Sequence, residues 1–275
     1  WLFTPEQSKR IVRSLTHNGE TVGYLEIPSD YGHDAFLLPN ELQQRAVAGF
    51  LASLLRQVEG QPFNGEVEIE SEDEKRRLDL ERINQVIPDG SSVLDLGCGS
   101  GEYLQYLAER GCTRLQGVDL DAYRVVEAIE RGVDVIQADL DKPLHFFDDK
   151  TFDFVLLSRT LQVVRHPPVV MREMLWVGHK GVVTFPNFGY WRNRHQLAWA
   201  GRVPVSRNLP FSWADTPNLH HLSTRDFEQW CADEGVEVLE RIAMDYAHGK
   251  PIHLMPNLRA TDAIYVIARR AAPSC

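Results

Sequence analysis

The stretch Val93–Leu104, reading VLDLGCGSGEYL, constrains the fold more than any other part of the chain. An apolar run with the character of a buried strand enters Gly97, Gly99 and Gly101, and a helical pattern follows. Strand, glycine loop and helix open a parallel α/β unit, and in such sheets ligands sit in the crevice beyond the carboxyl ends of the strands. The surrounding region extends the pattern. A helix carries Leu80, Ile83 and Ile87 on one face and stops at the PDG of 88–90. Strand patterns at 115–120, 133–140, 152–158 and 181–186 alternate with helices that start near 101 and 122 and one that ends near Val177. Strands separated by helices predict a parallel sheet covered on both faces. The end of the chain differs. A helix at 224–234 precedes two strand patterns, 236–246 and 262–270, with no helix between them, which predicts an antiparallel edge hairpin.

The glycine spacing narrows the ligand. A dinucleotide fingerprint, G-x-G-x-x-G, would place its third glycine at 102, which is Glu102. The chain instead reads D-x-G-x-G-x-G, with Asp95 in the strand end. Two carboxylates disfavour a pyrophosphate and suit a cation. Asp119 closes the second strand, 22 residues after Gly97, where an acid accepts both hydroxyls of a ribose. Asp139 closes the third strand, where it meets an exocyclic amine. A positive centre, a ribose and an adenine together describe S-adenosylmethionine.

Composition removes other classes. The net charge of -10 argues against a nucleic-acid or acidic-membrane partner. Cys98, Cys112, Cys231 and Cys275 form no CxxC pair and no zinc-ligand spacing, so no metal site is expected and free thiols in a cytoplasmic setting are. No apolar run approaches the roughly 20 residues of a membrane span, and no signal segment opens the chain. It opens at Trp1 rather than Met, and the expectation is a piece of a longer product.

Three zones are expected. Residues 1–58 read as helix (5–18), strand (TVGYLEI, 21–27), loop and helix (40–58). Residues 59–74 read as an exposed linker, with six acidic and no basic residues between Glu66 and Glu74. Residues 75–275 form the α/β unit.

Residues 92–158 resemble the cofactor half of a class I S-adenosylmethionine-dependent methyltransferase, through D-x-G-x-G-x-G, GVDLD, QADL and FDFVLLS in that order. The resemblance implies a Rossmann-like, mostly parallel seven-stranded sheet. It also implies that Gly97, Gly99 and Gly101 line the methionine part, Asp119 takes the ribose, and Asp139 and Leu140 flank the adenine. Asp95, Cys98, Leu120 and Ser158 join the same pocket. The segments VIQADLD, SRTLQVV, REMLWVGHKGVVTFPNFGYWRNR and DTPNLHHLSTRDFE narrow this to a resemblance, over roughly 75–250, to the MetW family of methionine-biosynthesis proteins. MetW-type proteins are associated with homoserine acylation. The implied function is therefore a cofactor-binding unit that supports or regulates a homoserine O-acyltransferase. The alternatives are an active methyltransferase on a small molecule or protein, and a partner fold with an empty pocket.

The residues themselves argue little for methyl transfer, which needs an acceptor in line with the methyl and often a base. The fourth strand ends Leu157-Ser158-Arg159-Thr160, unlike the Asn-Pro-Pro-Tyr type of motif, and FPNF (185–188) lies on a later strand. His166, His195, His220 and His221 are candidate bases. The insert Asn187–His221 interleaves aromatic residues such as Trp191, Trp199 and Trp213 with Arg192, Arg194, Arg202 and Arg207. It reads as a lid, a protein-contact surface or a packed cap.

The start of the chain carries a second resemblance. WLFTPEQS followed by YGHDAFLL resembles the end of a MetX-type homoserine O-acetyltransferase, an α/β-hydrolase, over residues 1 to about 55. It implies that His33 is the base of a triad whose acid and nucleophile are not among these residues, and no G-x-S-x-G occurs. The expected partner is thus an acyltransferase body, upstream or on a separate chain.

Overall fold

Apolar runs that are too short and too continuous for amphipathic helices become the strands of one sheet. The computed structural model describes residues 4–29, 39–59, 81–206, 209–245 and 250–270. Its strands are β1 (Val93–Leu96), β2 (Leu115–Asp119), β3 (Val135–Gln137), β4 (Phe152–Ser158), β5 (Gly178–Pro186), β6 (Val236–Asp245), β7 (Lys250–Pro251) and β8 (Asp262–Arg269). They lie in the order β3-β2-β1-β4-β5-β8-β6-β7. β1 to β5 pair in parallel, and β8 runs antiparallel to both β5 and β6. This is the Rossmann-like class I methyltransferase arrangement, with the two-residue β7 added at the edge.

Burial explains the order. All four residues of β1 are buried, as are positions 154–157 of β4, because helices cover both faces. The C-terminal strands divide by the same logic. Ala263–Ile267 of β8 are all buried, so β8 sits inside the sheet, whereas β6 exposes Glu237 and Glu240 and lies toward the edge.

The described helices include α1 (Pro5–His17), α2 (Glu41–Glu59), α3 (Glu102–Glu109), α4 (Ala122–Glu130), α5 (Pro167–Val177), α6 (Trp191–Ala200), α7 (Thr224–Asp233) and α8 (Pro256–Arg259), with a further helical stretch at 81–86. α5 and α7 cover one face through Met171, Met174, Leu175 and Phe227, which pack on Phe152, Phe185 and Tyr265. The stretch at 81–86, α3 and α4 cover the other through Ile83, Leu104, Leu107, Val125 and Ile129. The third strand is shorter than its apolar pattern. The chain leaves the sheet after Gln137, with Ala138 N–H donating to the Asp119 carbonyl at 2.9 Å.

The start of the chain packs on the β3 side of this sheet. α1 sinks Val12 into the main core, and the Thr16 carbonyl accepts from Arg114 at 2.8 Å. His17 pairs with Asp148. α2 lies so close to α4 that a Cβ on Gly49 would stand 2.9 Å from the Glu130 Cα. Arg45 grips Glu130 with two bonds of 2.8 Å. The segment 21–27 is extended and bridges β3 at a single residue, Tyr24. His33 with its YGHD turn, and nearly all of the expected acidic linker, lie outside the described residues.

Candidate functional site

β1 ends at Leu96 because Gly97 turns the chain out of the sheet. Gly97 has φ 80°, and a Cβ there would lie 2.5 Å from Thr160 Oγ1, so conformation and space both demand glycine. The N–H groups of Gly97 and Cys98 donate to the Val118 carbonyl at 2.8 and 3.1 Å, which ties the loop to the end of β2. Gly101, at φ 79°, serves packing instead, since a Cβ there would meet Ala128 at 3.0 Å and Val133 at 3.3 Å. It lets α3 approach α4 and does not line the cleft.

The cleft itself has a volume of about 700 Å³. Asp95, Gly97, Cys98, Gly99, Asp119, Leu120, Asp139, Leu140 and Ser158, all read from the sequence, line it together. They come from the C-terminal ends of β1, β2 and β4 and from the turn after β3, which the parallel pairing aligns at one edge of the sheet.

Its electrostatics are dominated by carboxylates, of which Asp95 is buried and Asp119 and Asp139 are half-buried. Asp95 is 1% exposed and its Oδ1 has no hydrogen-bond partner. Burial pushes its carboxyl up to about 7, and the charge of Asp119 adds to that shift. Asp119 accepts from the Gly99 N–H at 2.8 Å on one oxygen and from the Asp121 N–H at 2.9 Å on the other. Asp139 accepts from the Asp141 N–H at 3.0 Å, and Lys142 stands 3.5 Å from its second oxygen. Ser158 shares a 3.2 Å hydrogen bond with Thr184. Burial pushes the Cys98 thiol up, so it stays protonated and is no nucleophile at neutral pH.

Other lining residues escaped the sequence reading. Thr160, Val163 and Val164 come from the turn after β4, and Arg124 from the first turn of α4. Pro217 comes from the insert. The turn residues follow directly on a strand end that was read, but Pro217 carries no local signal. It is brought in because Leu219 and His220 donate backbone N–H groups to the Gln162 carbonyl at 2.8 and 3.1 Å.

None of the four candidate bases is among the cleft residues. His195 stacks on Trp199 at 5.0 Å and His221 on Phe188 at 4.8 Å. His220 Nε2 lies 3.3 Å from the Arg165 carbonyl, and His166 is the N-cap of α5. Asn187 of FPNF is fully buried and fully engaged. Its amide donates to Asn257 O at 3.1 Å and Ala260 O at 2.8 Å, and its oxygen accepts from Gly189 N–H at 3.0 Å and Thr224 N–H at 3.3 Å. The insert thus contributes one residue to the mouth of the cleft, while Trp199 and Trp213 stay about 80% exposed. Among the described residues, no group of three or more His, Cys, Asp or Glu is placed to hold a metal ion, and no helix is long and apolar enough to cross a membrane.

Comparison with known proteins adds three findings. The bifunctional methionine biosynthesis protein MetXA/MetW of Rhodopirellula baltica is 35% identical over 280 residues, which is 98% of this chain and 44% of that protein. The homoserine O-succinyltransferase of Halothiobacillus neapolitanus is 46% identical over 54 residues, 20% of this chain and 13% of the enzyme. The chain therefore spans less than half the length of these curated relatives. Among solved structures, an S-adenosylmethionine-dependent methyltransferase of Mesorhizobium loti superposes with a TM-score of 0.53 at 19% identity, over 70% of this chain and 98% of that one, which establishes the fold. The family described as methionine biosynthesis protein MetW matches residues 77–267. With more than half of its length inside that match, the chain belongs to the MetW family.

Proposed function

We propose that the cleft binds S-adenosylmethionine and that the chain serves methionine biosynthesis as the cofactor-sensing partner of a homoserine O-acyltransferase. The observation that carries the first part is Asp95: a buried carboxylate among the residues that line the cleft, with one oxygen that has no partner of its own. Such a group costs free energy unless a ligand satisfies it, and a cationic ligand does so best. The remaining residues fit the rest of the molecule. Gly97 and Gly99 would leave backbone bare for the methionine part, Asp119 would take the ribose, and Asp139 and Leu140, which line the same cleft, would flank the adenine. When bound, the cofactor would supply an activated methyl group.

This chain's own residues offer little to use that methyl. No candidate histidine lines the cleft, the Asn187 amide is already engaged, and the Cys98 thiol is held neutral. A fold by itself does not settle the chemistry. Binding without transfer suits a unit that reports the level of the pathway's product. The names of the Rhodopirellula and Halothiobacillus relatives, one joining MetX to MetW and one a homoserine acyltransferase, support the choice of partner.

Calorimetric titration of S-adenosylmethionine into the chain tests this reading. Micromolar binding, weakened at least about tenfold in Asp119→Ala by roughly 1.4 kcal/mol of lost contacts, is the expected result. Absence of heat and of any thermal shift would remove the cofactor from the account. Build-up of S-adenosylhomocysteine with an added acceptor would replace sensing by methyl transfer.

A further inference from the structure

The segment 21–27 lies along β3, and its two edges are not alike. Tyr24 N–H donates to Val135 O at 2.9 Å, and Gln137 N–H donates to Tyr24 O at 2.8 Å. Two glutamine side chains extend the pairing. Gln116 accepts from Val22 N–H at 2.9 Å and donates to Val22 O at 3.0 Å, and Gln137 accepts from Glu26 N–H at 2.9 Å. Residues 22, 24 and 26 therefore turn their backbone groups toward β3. In an extended chain, the alternate residues turn theirs the other way. Gly23, Leu25 and Ile27 form no backbone hydrogen bond to any described residue. A strand with one satisfied edge and one open edge is a template for another strand.

The helices on either side point to the same conclusion. α1 sits on the α5 face of the sheet and exposes Ile11 (61%) and Leu15. α2 sits on the α4 face and exposes Val47, Phe50, Leu51, Leu54 and Leu55, each by more than 40%. That spacing is an apolar helix stripe with no described residue over it. The matched acyltransferase says what belongs there. Its 54 matched residues are only 13% of its length, and a segment of that size buries too little apolar surface to be a core by itself. In that enzyme the segment must pack against the remaining body.

We propose that strand 21–27 is shared. One edge pairs with β3 of the methyltransferase-like sheet. The other pairs with an edge strand of a homoserine O-acyltransferase body, whose apolar surface covers α1 and α2, so that one sheet runs through both units. The inference rests on the acyltransferase partnership proposed above and not on cofactor binding.

The test is co-expression of the 275-residue chain with the Halothiobacillus acyltransferase shortened by the 54 residues that match it. Sedimentation and amide exchange are then measured without S-adenosylmethionine. The expected result is a one-to-one complex in which the amides of Gly23, Leu25 and Ile27 exchange roughly tenfold or more slowly than in the chain alone. Gly23→Pro removes an outward N–H and leaves the inward groups of Val22 and Tyr24 in place, so it should abolish the complex. Gly23→Ala, whose Cβ meets nothing within 4 Å, should not. A complex that leaves these three amides unprotected would keep the partnership and overturn the shared strand. A symmetric dimer of this chain at the same edge would overturn it as well. So would a shortened enzyme that stays insoluble beside the chain, since a shared strand would complete its sheet.

Discussion

Asp95 and Asn187 invite comparison. Both are buried polar side chains at the C-terminal edge of the parallel strands, 1% and 0% exposed, and both stand in stretches that read as motifs, DLGCG and FPNF. Their surroundings are opposite. Asn187 uses both ends of its amide on four backbone groups. Asp95 leaves one oxygen without a partner. A satisfied buried amide is part of the scaffold, whereas an orphaned carboxylate is a cost that the fold tolerates for something outside it. The difference separates a structural corner of this molecule from the cleft proposed to bind the cofactor, though the two look alike in sequence.

The largest effect that sharpens the comparison is on stability. Asn187→Ala orphans the Gly189 and Thr224 N–H groups and the Ala260 carbonyl, and leaves the Asn257 carbonyl only a 3.4 Å bond from Arg194. At about 1.5 kcal/mol for each of the three orphaned groups, the loss should be roughly 5 kcal/mol in denaturant unfolding. Where the variant is folded, its cofactor affinity should stay within about twofold of the parent. A large loss of affinity at retained fold would break the distinction.

Asp95→Asn should act in the opposite sense, and only at the right pH. Asp95 titrates near 7 in the folded chain, against an ordinary value of 3.8. A raised carboxylate keeps its stabilising share below the unfolded value and loses it as pH climbs through the folded one. The parent should therefore lose stability relative to Asp95→Asn between about pH 4 and pH 8, by roughly 4 kcal/mol at most. Urea midpoints of both proteins across that range measure it. Parallel curves would mean that Asp95 is not held as its burial requires.

Gly97→Ala comes next. It forces a side chain into φ 80° and against Thr160, and should cost roughly 2 kcal/mol. Adding Thr160→Ser removes the methyl contact and should return part of that cost. A double-mutant cycle with no coupling would show that backbone conformation alone fixes this glycine.

How much of this was legible in the sequence follows from where the partners lie. β1 and β4 were readable because an apolar run between helices has no other use, and the glycine loop because its acids and glycines sit within a few residues. Asn187 was not readable, since its partners lie at 189, 224, 257 and 260, joined only by the fold. α6 was missed because WRNRHQLAWA buries Asn193 and shows no apolar face to recognise. The strand expected in TVGYLEI is an extended segment with one bridge, at Tyr24, and its neighbour was not legible, because Gln116 and Gln137 bind it with side chains that periodicity ignores.

Gln137 gives the smallest effect. Its side chain accepts from Glu26 N–H at 2.9 Å and donates to the Leu120 carbonyl at 3.2 Å, so it joins the strand of 21–27 to the cleft. Gln137→Leu should weaken S-adenosylmethionine by about threefold, near 0.6 kcal/mol, and speed amide exchange at Glu26. An unchanged affinity would confine this residue to docking.

The most direct test of the central claim is titration of S-adenosylmethionine into the parent and Asp95→Asn at about pH 6 and about pH 8. If the cofactor satisfies the ionised Asp95, the ratio of parent to variant affinity should rise about tenfold over that interval, because the ligand's own titration cancels in the ratio. A ratio that does not change with pH would contradict it, and would leave the buried acid of this cleft without a ligand.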